Sequence, residues 1–205
     1  MDTNTLYYTF STIPQILAAA IAILAAFMHF RLISIKDLLI GDGKSAQDRL
    51  GQKGYILNDK YSDRLRDGIN RKSIGEVKEV LNKLAKTEKE ENYTKNNRPT
   101  GLQYLYEDRF CRTERHYNFL RISSLITFGV VSFTLIISLI CLSQVDCLIQ
   151  MDNYIFWTNL NIGLFCLSIG LIFFLVIISS LQNTTYENIK KRDKIIKRNK
   201  KINKP

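Results

Sequence analysis

Charge is missing from this sequence in long blocks. Residues 1–30 hold a single charged side chain, Asp2, and residues 122–181 hold only Asp146 and Asp152. An ordinary soluble domain of 205 residues does not leave such stretches uncharged. Three prolines and ten glycines exclude a collagen, and four cysteines exclude a disulfide-knit secreted module. A hydrophobic content of 46% excludes a disordered chain. The mean hydropathy of −0.07 looks globular only because it blends unlike parts. Residues 31–121 carry 20 Lys/Arg against 14 Asp/Glu, and residues 182–205 carry nine Lys/Arg against Glu187 and Asp193. Long apolar blocks alternating with dense charge define a small helical membrane protein.

Patterns for chemistry are also scarce. The histidines are His29 and His116, and Cys111 lies five residues before His116, which is not a recognised zinc spacing. Gly41-Asp42-Gly43-Lys44-Ser45 follows an apolar run, but a phosphate-binding loop needs glycine where Leu38 stands. It reads instead as a helix stop followed by a basic surface. No nucleophile elbow joins Ser, His and Asp. No charge lies deep in an apolar block, which argues against a proton route, and three spans lack the paired repeats of secondary transporters. The expectation is a non-enzymatic chain without catalytic residues, cofactor or metal.

Three apolar blocks are long enough to cross the roughly 30 Å hydrocarbon layer, which takes about 20 helical residues. They cover residues 13–32, 119–142 and 155–181. A charge at mid-span costs about 3 kcal/mol, and Arg31 and Arg121 sit at span ends where they can snorkel. Residues 1–12 hold an acid and no base before the first span, so that span reads as an uncleaved anchor rather than a signal peptide. Lys and Arg are absent from residues 1–12 and from the short connection 143–154. They are dense in the loop 33–118 and in the tail 182–205. The bias predicts an outer N-terminus and a cytoplasmic loop and tail. Tyr7, Tyr8 and Phe10, with Tyr154, Phe156 and Trp157, would mark the outer interface.

Helices in lipid pack through small and hydroxyl-bearing residues. Ala18, Ala22 and Ala26 form a ridge on span one. Ser124, Thr127, Thr134 and Ser138 form a hydroxyl face on span two, and Gly163 and Gly170 share one side of span three. The plain reading is three-helix packing; the alternative is a polar seam in an oligomeric pore. Thr12, Pro14 and Gln15 resemble a helix start, and Asn159 and Asn161 fall in the first turns of span three as caps or hydration sites. An oxidising outer space would permit a bridge between Cys141 and Cys147.

In the loop, residues 33–40 extend span one until Gly41-Asp42-Gly43 breaks it. Residues 44–72 suggest short helical pieces and turns. Ser73 and Glu76 suggest a capping box, followed by Ile74, Val77, Val80, Leu81 and Leu84 at helical spacing. Thr100 and Gln103 suggest another cap, from which Leu102, Leu105, Tyr106 and Phe110 lead into span two. The stripes look too few for a large independent core. In the tail, Lys190, Lys191, Arg192, Lys194, Lys197 and Arg198 suit anionic lipid head groups, at about 1 kcal/mol each near the surface. No aromatic residue interleaves them, so nucleic acid is not expected.

Phe10-Ser11-Thr12-Ile13-Pro14-Gln15, the Ala-rich span and the exit Phe30-Arg31-Leu32 resemble the start of uncharacterised prokaryotic small multi-span inner-membrane proteins. The resemblance covers about the first 33 residues. It implies a bacterial inner membrane and no particular activity. Taken together, the expectation is an all-α protein acting through association, as a homo-oligomer or with a protein partner.

Overall fold

The structure is a computed structural model. It describes the backbone of residues 3–52, 59–92, 101–150 and 154–202, and the side chains of residues 4–50, 61–88, 101–150 and 154–180. The helices are α1 (Thr3–Gln52), α2 (Asp59–Asn70), α3 (Ile74–Asn92), α4 (Gly101–Tyr104), α5 (Cys111–Ser143), α6 (Val145–Gln150) and α7 (Tyr154–Ile202), with a π-helical turn at Leu105–Phe110. No strand occurs among the described residues. Three helical stretches, Asn4–Leu50, Gly101–Ser143 and Tyr154–Ser180, are long and apolar enough to cross a membrane. The chain is therefore an all-α membrane protein with three transmembrane helices. It divides into two compact units, Met1–Phe27 with Ile122–Pro205, and Met28–Arg121.

The first unit is turned inside out relative to a soluble bundle. Leu125, Phe133, Ile136, Phe173 and Phe174 face outward, while Thr134, Ser138, Asn161 and Ser168 are sealed inside at 0% exposure or close to it. Hydrocarbon accepts the apolar surface without cost and leaves polar side chains to find partners in the protein. Ile13 and Leu17 of α1 meet Val131 of α5, backed by Phe165 and Ile169 of α7. Nearer the start of α1, Leu6 and Phe10 pack with Cys141 and Val145, flanked by Tyr154 and Trp157. Burial of these two large side chains, worth about 1.5–3 kcal/mol each, carries the helix upstream of the expected start. Thr12, Pro14 and Gln15 thus lie inside α1 and do not cap it. The connection 143–154 holds the short helix α6, and Tyr7 donates to the Asp146 carboxylate at its start at 3.2 Å.

The second unit has a fuller core than the stripes promised. Leu39, Ile40 and Ala46 of α1, Leu65 and Ile69 of α2, and Val77, Val80, Leu81 and Leu84 of α3 close on Leu102, Leu105 and Phe110. The loop therefore leans on itself. At 12 residues α2 is too short to be stable alone, and this burial holds it. The turn from α2 to α3 is a Schellman-type reversal. Ser73 N–H donates to Gly68 C=O at 2.9 Å and Lys72 N–H to Ile69 C=O at 3.1 Å, with Lys72 at φ 51°. Ser73 then caps α3, its Oγ accepting the Glu76 N–H at 3.4 Å. Glu76 turns toward Arg71 instead of closing the box.

Gly41-Asp42-Gly43 does not stop α1, which runs on to Gln52. Two tertiary contacts outweigh the weak helix propensity. A Cβ on Gly43 would stand 2.9 Å from Val77 Cγ1 and 3.3 Å from Ile69 Cγ1, so the glycine is the notch into which α3 settles. Asp42, only 2% exposed, pairs with Arg109 at 2.8 Å. The π turn sets up the second contact. Cys111 N–H donates five residues back to Tyr106 C=O. In a regular α-helix Leu105 and Phe110 would point about 140° apart. The wider turn brings both into the core and leaves Arg109 at its edge. At the start of α4, Glu88 of α3 accepts the N–H groups of Leu102 and Gln103 at 3.0 and 3.2 Å. A buried carboxylate from another helix caps α4; Thr100 lies outside the described residues.

Candidate functional site

Two polar constellations stand out, one in each unit. In the first, α5 and α7 meet along a buried seam. Ser138 donates to the Asn161 side-chain oxygen, and the Thr134 and Ser168 hydroxyls lie 3.0 Å apart. Thr134 also reaches Val130 C=O at 3.0 Å and Ser168 reaches Leu164 C=O at 2.8 Å. Each hydroxyl has one proton, so one of the pair donates across the seam while the other donates back to its own helix. Thr127 bonds back to Ser123 C=O at 2.9 Å. The Asn161 amide nitrogen is buried without a hydrogen bond of standard geometry, and the Cys141 thiol is its polar neighbour.

The sequence-derived residues divide sharply here. Ser124, Thr127, Thr134 and Ser138 are all buried on the packing face of α5. Ala18, Ala22 and Ala26 are exposed, and the in-chain face of α1 is Ile13, Leu17 and Leu24. Gly163 and Gly170 are exposed too, with nothing within 4 Å of an added Cβ. The in-chain packing of spans one and three thus belongs to other residues: bulky side chains on α1, and Asn161 and Ser168 on α7. Gly163 and Gly170 stand seven residues apart, and so do Asn161 and Ser168, so spacing alone selects neither side of α7. Asn159 is exposed, whereas Asn161 is buried at 0%. Cys141 and Cys147 are free thiols: Cys141 is buried beside Leu6 and Phe10, and Cys147 is exposed on α6. The structure therefore corrects the bridge to two separate thiols. The side chains of Lys190, Lys191, Arg192, Lys194, Lys197 and Arg198 lie outside the described residues.

The second constellation is a cleft of about 350 Å³ in the loop unit, lined by Lys36, Lys72, Ser73, Ile74, Glu114, Tyr117, Asn118 and Arg121. Helix α1 supplies Lys36, the turn before α3 supplies Lys72 and Ser73, α3 itself supplies Ile74, and α5 supplies Glu114, Tyr117, Asn118 and Arg121. Glu114 is bound by Lys78 at 2.9 Å, and Lys72 lies 3.3 Å from Asp37. These residues are scattered in sequence; only the hairpin turn brings Lys72 to the cleft.

Gly41 to Ser45 is helical, with the Ser45 hydroxyl donating to Gly41 C=O at 3.0 Å, so its backbone is not arranged as a phosphate loop. Among the described residues no three His, Cys, Asp or Glu side chains cluster as metal ligands. His29 is exposed, and Cys111 and His116 are half-buried. No family model, curated protein or solved structure matches this chain.

Proposed function

We propose that this chain is a non-enzymatic membrane protein that acts through association of its transmembrane helices, as an assembly, sensor or accessory subunit. The observation that carries this reading is the outward placement of Ala18, Ala22 and Ala26. The chain packs α1 through the larger Ile13 and Leu17, leaving a ridge suited to close helix approach open to a second copy or another membrane protein. The outward Gly163 and Gly170 offer a similar surface on α7. The pore alternative finds less support, because the hydroxyls that would line it bond within the chain. The bias of Lys and Arg favours an outer N-terminus and a cytoplasmic loop and tail, and the resemblance of the opening residues favours a bacterial inner membrane. The basic tail would hold anionic lipid there.

The test is the mass of the purified chain in mild detergent, by light scattering and native mass spectrometry. A defined homo-oligomer or a stoichiometric partner is expected. Ala22→Leu with Gly170→Leu should dissociate it without loss of helix. A solitary monomer in detergent and in bilayers would overturn the reading. Voltage-dye loss on expression would favour the pore instead.

A further inference from the structure

The cleft of the loop unit has a chemistry that association does not use. We propose that it binds a phosphate group, carried by a lipid head group or by a small soluble compound. Lys36, Lys72 and Arg121 surround it, with the Ser73 hydroxyl, the Tyr117 phenol and the Asn118 amide as further donors. Glu114 is the acid among the lining side chains, and Lys78 already holds it at 2.9 Å. The pair of Lys72 with Asp37 is exposed on both sides and so is weak and exchangeable. The cleft also opens on the first turn of the nineteen-residue helix α3, at Ser73 and Ile74, where the helix dipole is positive. Cations, hydroxyl donors and a helix start lining a cavity of about 350 Å³ suit a phosphate monoester or diester in charge and leave room for the group that carries it.

The sequence positions add a depth. Lys36 follows the end of span one at residue 32 by four residues, and Arg121 lies in the first turn of span two. Both mark the loop-side ends of their spans, where lipid phosphates lie.

The full chain, purified in mild detergent and in nanodiscs, is tested by native mass spectrometry for retained phosphatidylglycerol and by calorimetric titration with inorganic phosphate. Wild type should retain phosphatidylglycerol or bind inorganic phosphate. Lys36→Gln with Arg121→Gln should weaken that binding by about tenfold or more. Lys72→Gln alone should weaken it in the same direction. Arg66→Gln with Lys86→Gln, which removes two charges away from the cleft, should leave it unchanged. Lipid retained against excess inorganic phosphate assigns the lipid source, and displacement by it assigns the soluble one. Circular dichroism checks that each variant keeps its helix content. Equal binding by wild type and both cleft variants, or no binding to either probe, would overturn the proposal.

Discussion

The Asp42 carboxylate, 2% exposed, meets the Arg109 guanidinium at 2.8 Å, joining the α1 helix to the π turn before α5. A buried acid is tolerable only with such a partner. Arg109→Met should cost about 3 kcal/mol, because it removes the cation paired with a buried carboxylate. Asp42→Leu with Arg109→Met should recover most of that loss. Thermal melts of the purified chain in one detergent check both, and a double variant as weak as the single one would refute the pairing as the cause.

Gly41 and Gly43 should respond to alanine with opposite signs. Nothing lies within 4 Å of a Cβ at Gly41, so Gly41→Ala should stabilise by roughly 0.5–1 kcal/mol through helix propensity. At Gly43 the same methyl meets Val77 Cγ1 at 2.9 Å. The overpacking cost of about 1–3 kcal/mol should exceed the propensity gain. Gly43→Ala with Val77→Ala should then be less than additive, as a double-mutant cycle of melting temperatures would reveal.

The α5–α7 seam should show measurable coupling between Ser138 and Asn161. Ser138→Ala and Asn161→Ala each remove one partner of a buried hydrogen bond. The coupling energy should be about 0.6 kcal/mol and at most about 1.7, as for other interhelical bonds in lipid. Steric-trap or denaturant unfolding in bicelles supplies the numbers.

Glu79 gives the loop unit a small acid sensitivity. Its carboxyl is held below the usual glutamate range, first by the hydrogen bond from Lys83 at 2.8 Å and then by the charge of Arg64. A depressed acid stabilises the fold above its unfolded pKa, and that contribution fades as pH falls through the folded value. Wild type should lose melting temperature below about pH 4 more steeply than Glu79→Gln. Because the group is exposed, the difference should shrink in high salt.

The spans were legible because a charge-free stretch of that length has few other folds. Helix α3 was legible because Val77, Val80, Leu81 and Leu84 keep strict helical spacing. The hydroxyl face of α5 could be read as a stripe, but its partners Asn161 and Ser168 could not. In lipid, small and polar periodicity does not say which side faces the chain. That is also why the alanines of α1 pointed to in-chain packing they do not make. Gly41-Asp42-Gly43 misled because propensity suggests a break, while the notch for Val77 and the pair with Arg109 are tertiary. The π turn and the Glu88 cap of α4 leave no local signature, since each depends on residues far along the chain or on a single inserted register step.

The separation of the two thiols near α6 gives the molecule a built-in topology reporter. Cys147 is exposed in the connection between spans two and three, and Cys141 is hidden behind Leu6 and Phe10. A membrane-impermeant maleimide therefore has an exposed target in that connection without any engineered residue, and whether Cys147 reacts in intact cells or only after they are opened reads out how the chain is threaded.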